Sequence, residues 1–146
     1  MRRDESGQVG GLEAVIFGVL VFVVGTLVVV NAWGVIDAKF AAASAAREAA
    51  RAYVEAPNAG DALTSARQAA EDSMRGHGRD VSRMTVRVLS GAFSRCDRVT
   101  IEVTYPVPVL VLPWMAHTGT GFTAAARHSE VVDPYRAGLT GTARCA

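Results

Sequence analysis

Apolar and polar positions fall into three regimes along this chain. Residues 14–30 hold thirteen Val, Leu, Ile or Phe in seventeen positions, broken only by Ala14, Gly18, Gly25 and Thr26, and no charge falls among them. As a helix this run is roughly 26 Å long, and its continuation through Ala32, Trp33, Val35 and Ile36 carries it past the ~30 Å of bilayer hydrocarbon. Its large apolar side chains favour insertion by roughly 4 to 8 kcal/mol before the Gly and Thr contributions are subtracted. Trp33 falls near the far interface, where an indole belongs. The second regime, 41–56, has nine Ala in sixteen residues and no Gly or Pro before Pro57, so local propensity extends the same helix to about Glu55. Asp37, Ser44, Glu48, Arg51 and Glu55 form one polar stripe on it. The rest of the circumference is nearly all Ala, able to lie close against neighbouring helices or against the chain's own domain.

The third regime begins at the break Pro57-Asn58-Ala59-Gly60. Asp61 is the expected cap of a second helix that runs to about Arg75 and stops at Gly76-His77-Gly78. Beyond it the period becomes two. Met84, Val86 and Val88 alternate with Thr85 and Arg87, and Ser90-Gly91 supplies a turn. Val99, Ile101, Val103 and Tyr105 then share one face, with Arg98, Thr100, Glu102 and Thr104 on the other. Pro106 and Pro108 cannot donate to a ladder, which places 107–113 on an edge or in a loop. The apolar loop 107–115, with Val107, Leu110, Trp114 and Met115, is expected to pack over the sheet, touch a membrane or meet another subunit. A last strand is expected over 122–132.

The fold class expected is α+β: an N-terminal transmembrane helix continuing into a long Ala-rich helix, then a second helix and a small antiparallel sheet. The expected organisation is a short basic leader segment 1–11, a transmembrane helix 12–36, an extracytoplasmic α+β domain 37–133 and a flexible tail 134–146, Gly- and Thr-rich from Pro134. A cleaved secretory signal is the alternative to an anchor, since Arg2 and Arg3 make a basic start and Val30-Asn31-Ala32 is a passable cleavage site. The apolar run exceeds the usual ~7 to 15 residues of a signal and continues as helix, which favours retention.

Composition narrows the function classes. In 146 residues, 15 Lys+Arg stand against 14 Asp+Glu, too even a balance to indicate a nucleic-acid partner. Cys96 and Cys145 form an even pair, consistent with a disulfide in an oxidising compartment or with two thiols. His77, His117 and His128 are far apart and show no metal-ligand spacing. Thr118-Gly119-Thr120-Gly121 lacks the Gly-Lys-Ser/Thr ending of a phosphate loop, and no serine sits in a nucleophile elbow. Glu71 and Asp72, adjacent on a helix, point to different faces. No catalytic, cofactor or metal constellation emerges, and the role expected is not enzymatic. Glu13, at the start of the apolar run, reads either as a helix-start carboxylate at the interface or as a charge that meets a neighbouring chain.

The short basic start, Gly7, Glu13, the apolar helix that follows at once and Ala45-Ala46-Arg47-Glu48-Ala49-Ala50-Arg51 together resemble the TadE/TadF-type pseudopilins. These are minor components of tight-adherence (Flp-type) pilus systems within the wider type IV pilin-like group. The strand Val99-Thr100-Ile101-Glu102-Val103-Thr104-Tyr105-Pro106, a Pro-containing apolar loop and Thr123-Ala124-Ala125-Ala126-Arg127-His128-Ser129-Glu130 are similar to the family's C-terminal strands. The resemblance covers about two thirds of the chain. It implies cleavage after Gly7 and a contact between Glu13 and the new amino terminus of an adjacent subunit, although Glu13 stands sixth after Gly7 where the family has its Glu fifth. It also implies a cytoplasmic N-terminus in the inner membrane and an extracytoplasmic domain. The function expected is that of a membrane-anchored structural subunit, packed along Gly18 and Gly25, whose partners are other pilin-like subunits and pilus assembly machinery in a homo- or hetero-oligomer. The alternative is a single-pass anchored binding module that enters no filament.

Overall fold

A computed structural model of the chain describes residues 7–107 and 121–145. Two helices, α1 (Gly7–Glu55) and α2 (Ala59–Gly76), precede a short 3-10 turn (Val81–Arg83) and three strands, β1 (Thr85–Ser90), β2 (Arg98–Val107) and β3 (Phe122–Val131). The strands form one antiparallel sheet in the order β1-β2-β3. The architecture is α+β, with α1 laid along β2 and β3 and α2 packed against α1 and reaching β1.

The 49 residues of α1 form one unbroken helix, because nothing between the apolar run and Glu55 interrupts it with Pro. Its second half supplies the core. Ala38, Ala41, Ala42, Ala45, Ala46, Ala49 and Ala50 are all fully buried, at the i, i+3, i+4 spacing of a single helix face. They meet Ala66, Ala70 and Met74 of α2 and the inner face of the sheet. The Ala-rich face therefore covers the chain's own domain, one of the two readings open from sequence. Side chains this short let the helices and the sheet close on one another, and the Ser73 hydroxyl donates to the Ser44 hydroxyl at 3.2 Å across the α1–α2 contact.

The alternation in β2 is realised residue by residue: Val99, Ile101, Val103, Tyr105 and Val107 are buried. The outer face carries cross-strand pairs in register, Thr100 with Ser129 at 2.9 Å and Glu102 with Arg127 at 2.8 Å, which suits a face open to water. Gly91 turns the chain out of β1 at φ +90°, and a Cβ there would stand 2.4 Å from the Arg98 carbonyl oxygen, so only glycine fits.

Several expectations change. The cap of α2 is Asn58 rather than Asp61: Asn58 Oδ1 accepts from the Asp61 N–H at 3.1 Å, while Asn58 Nδ2 donates to Asp61 Oδ2 at 2.8 Å. The pair satisfies a free helix N–H and sets a carboxylate in the first turn, where the helix dipole favours it. Pro106 and Val107 belong to β2; Val107, expected on an edge or in a loop, sits where that strand has only β3 beside it. Proline is tolerated there because the β1 ladder ends at Thr85 opposite Thr104, leaving Pro106 with only Thr123 of β3 beside it. The remainder of the expected apolar loop, 108–115, lies outside the described residues.

Residues 134–145, expected as a loose tail, run back along the domain. Cys96 and Cys145 are joined by a disulfide. The Arg95 N–H donates to the Thr140 carbonyl at 2.9 Å, and Leu139 packs against the core. Arg136 donates to the carbonyls of Val54 at 2.7 Å and of Ala56, both at the end of α1. The last turn of α1 has no basic residue of its own, so Arg136 supplies the cation and the donors that its terminal carbonyls lack. The guanidinium also lies 5.3 Å from the centre of the Phe93 ring, which meets Tyr53 edge-on.

Candidate functional site

The first half of α1 presents the largest unpartnered surface of the described residues. Phe17, Phe22, Val29 and Trp33 are each at least 66 % exposed. This half is long and apolar enough to cross a membrane, and none of its most apolar window is buried within the chain. Two polar side chains within the run and its continuation bond to the helix's own backbone: the Thr26 hydroxyl donates to the Phe22 carbonyl and Asn31 Nδ2 to the Leu27 carbonyl, each at 2.8 Å. Each bond meets a donor that would otherwise face hydrocarbon.

The candidate residues from sequence map onto this half as follows. Gly7 is the first residue of α1. Glu13 is exposed and has no ion-pair partner among the described residues. A Cβ added at Gly18 or Gly25 would meet nothing within 4 Å. Seven residues apart, the two glycines share one side of the helix, and Gly25 floors a shallow groove of about 360 Å³ with Val21, Phe22 and Val29 on its walls. The structure thus leaves Gly18 and Gly25 open to a neighbour rather than packed within the chain. Cys96 and Cys145 lie on the folded domain and share no surface with the glycines.

Where the apolar half meets the domain, a second feature appears that the sequence did not signal. Asp37, the first charge after the run, pairs with Arg79 just past the end of α2, and Arg79 lies over the Tyr105 ring at 5.9 Å. The Arg79 N–H donates to the Met74 carbonyl at 3.0 Å, and a tight turn follows it. Asp80 accepts from the Ser82 N–H at 3.0 Å and from the Ser82 hydroxyl at 2.9 Å, and these bonds hold its carboxyl below the usual range. Below this polar clasp Phe122, 58 % exposed at the start of β3, faces α1 across an apolar groove of about 730 Å³.

The titratable side chains elsewhere are dispersed. His128 Nε2 lies 3.0 Å from Glu130 Oε1 at the edge of β3, His77 caps the end of α2, and His117 is outside the described residues. Among the described residues no three His, Cys, Asp or Glu side chains are grouped as a metal site would need. Comparison with protein-family models, with curated proteins and with solved structures finds no match.

Proposed function

We propose that the chain is a single-pass, membrane-anchored structural subunit of pilin-like type, a minor pseudopilin that assists assembly of a tight-adherence (Flp-type) pilus or a related secretion apparatus. The observation that carries the reading is the continuity of α1. One rigid helix joins an exposed apolar half to a half buried under a small α+β domain, so force or position set in the membrane is transmitted to the domain without a hinge. The open glycine side at Gly18 and Gly25 supports close lateral packing of helices in lipid. In this reading the N-terminus is cytoplasmic, the domain stands outside the inner membrane, and the disulfide is kept by an oxidising compartment. In the same reading Glu13, at the membrane edge of the span, meets a positive charge of a neighbouring subunit.

Affinity recovery of the full chain from native membranes in mild detergent tests this. Co-recovery of pilin, platform and assembly-ATPase components, reduced by Glu13→Gln, is the expected result. Recovery of a lone soluble ligand, with Glu13→Gln indistinguishable from the parent, replaces it with an anchored binding module outside any filament.

A further inference from the structure

At the end of the sheet where β2 stops and β3 begins, the groove between Phe122 and α1 runs along residues 24–36 of the helix. That wall is the second half of the apolar run, rising about 18 Å along the axis. The sheet end therefore stands beside the greasy helix instead of above it. The charge-free stretch 14–36 measures about 34 Å as a helix, against ~30 Å of bilayer hydrocarbon, so whatever solvates residues 24–36 also reaches Phe122.

The polar clasp gives the depth. Asp37 and Arg79 pair at the level of Tyr105, over whose ring Arg79 lies. Tyr105 is opposite Ala124, two ladder positions before the last pair among the described residues, Val107 opposite Phe122. At the rise of an extended strand, Phe122 lies about 7 Å below the clasp. Elements that rest in a membrane interface bury their apolar faces by about 5 to 10 Å. Charge distribution agrees: no Asp, Glu, Lys or Arg occurs over residues 103–126, and the nearest charges of the two strands, Glu102 and Arg127, pair five ladder positions up from Phe122, about 17 Å away.

We infer that this groove is filled by phospholipid acyl chains of the leaflet on the domain's side, making the membrane-proximal sheet end a second, shallow lipid contact beside the span. The inference rests on reading α1 as a membrane span. Its consequence is orientational: a lone helix is free to spin about its axis in lipid, whereas a helix with a wedge on one side is not. At 100° per residue, the glycine side of α1 lies about a quarter turn from the groove. Lipid held in the groove therefore leaves Gly18 and Gly25 clear for a neighbouring helix.

The test is a nitroxide on Phe122→Cys in the full chain, reconstituted in phosphatidylcholine–phosphatidylglycerol vesicles, with the native cysteines engaged in their disulfide. Collision with oxygen is compared with collision with a water-soluble nickel chelate. Phe22→Cys marks the middle of the span, and Gln68→Cys, on the exposed side of α2, marks the water-facing domain. The expected result is that the label at 122 meets oxygen and loses contact with nickel, as the label at 22 does. Contact with nickel at 122 as strong as at 68 overturns the inference, and so does shielding from both reagents, which points to protein rather than lipid in the groove. Nickel contact at 22 as well overturns the span itself and the wedge with it. Thr123→Cys, one residue on, gives the same discrimination if Phe122→Cys does not fold.

Discussion

In the first half of α1, Phe17 is 66 % exposed and Phe22 73 %; in the second half, Ala38, Ala42, Ala46 and Ala49 are 0 % exposed. The helix thus shows its largest apolar side chains to the outside and buries its smallest. For a domain folding in water the order would be reversed, because burying a Phe or Val gains far more than burying an Ala. The inversion shows that the two halves answer to different surroundings. The Ala half is selected for closeness, so that two helices and a sheet can share a small core. The Val-rich half is selected for the surface it leaves open, which calls for lipid or neighbouring helices.

The largest effect expected lies at the far end of the buried half, where the disulfide ties residues 134–145 to the β1–β2 connection and Arg136 reaches the end of α1. In the chain-entropy model a bridge over 49 residues contributes at most about 4 kcal/mol. The double variant Cys96→Ser/Cys145→Ser is expected to lower the domain's thermal midpoint sharply and to free Arg136 from the α1 carbonyls, while membrane retention stays as it was. Thermal unfolding of the full chain in detergent, with and without reductant, measures it. An unchanged midpoint would show that Arg136 and Leu139 hold the segment unaided.

Next in size is a charge placed in the exposed half. Val23→Arg sets a guanidinium near the middle of the apolar run and costs about 3 kcal/mol of insertion free energy. The expected outcome is a shift of the chain from the carbonate-resistant membrane pellet towards the soluble fraction, with the unfolding of the domain unaltered. Loss of domain stability with full retention in the pellet would mean that the first half folds against the domain in water, and the contrast between the halves would fail.

The same contrast explains what could be read from the chain in advance. The alternation from Val99 to Tyr105, the break at Pro57 and the uninterrupted helix to Glu55 are local signals, each written in a period or a breaker. Arg136 on the carbonyls of Val54 and Ala56 joins residues about eighty positions apart, and no period marks it. A clue did exist, since α1 ends without a basic residue in its last turn and must find its donors elsewhere. That β2 runs on to Val107 was hidden for a related reason: the place of Pro106 in the strand depends on where the β1 ladder stops, which the residues around it do not record. The groove beside Phe122 was invisible because neither of its walls is unusual alone. Only the fold brings a sheet end alongside residues 24–36.

The mildest perturbation probes the buried half on its own terms. Ala46 is fully buried within the α1, α2 and sheet core, so Ala46→Leu must find room for three further carbons where packing is already close. Overpacking of this kind typically costs about 1 to 3 kcal/mol, although leucine is as good a helix former as the position needs and adds apolar area. The two effects oppose each other, and which one wins reports how tightly the helices meet. A lowered thermal midpoint is expected. The matched change in the exposed half is Gly25→Leu, where an added Cβ meets no atom of the chain within 4 Å; it is expected to leave that midpoint alone while weakening lateral association, read by cross-linking in membranes. If instead Ala46→Leu is neutral and Gly25→Leu unfolds the domain, small residues serve internal closeness in the wrong half of the helix, and the division between a packed half and an open half is lost.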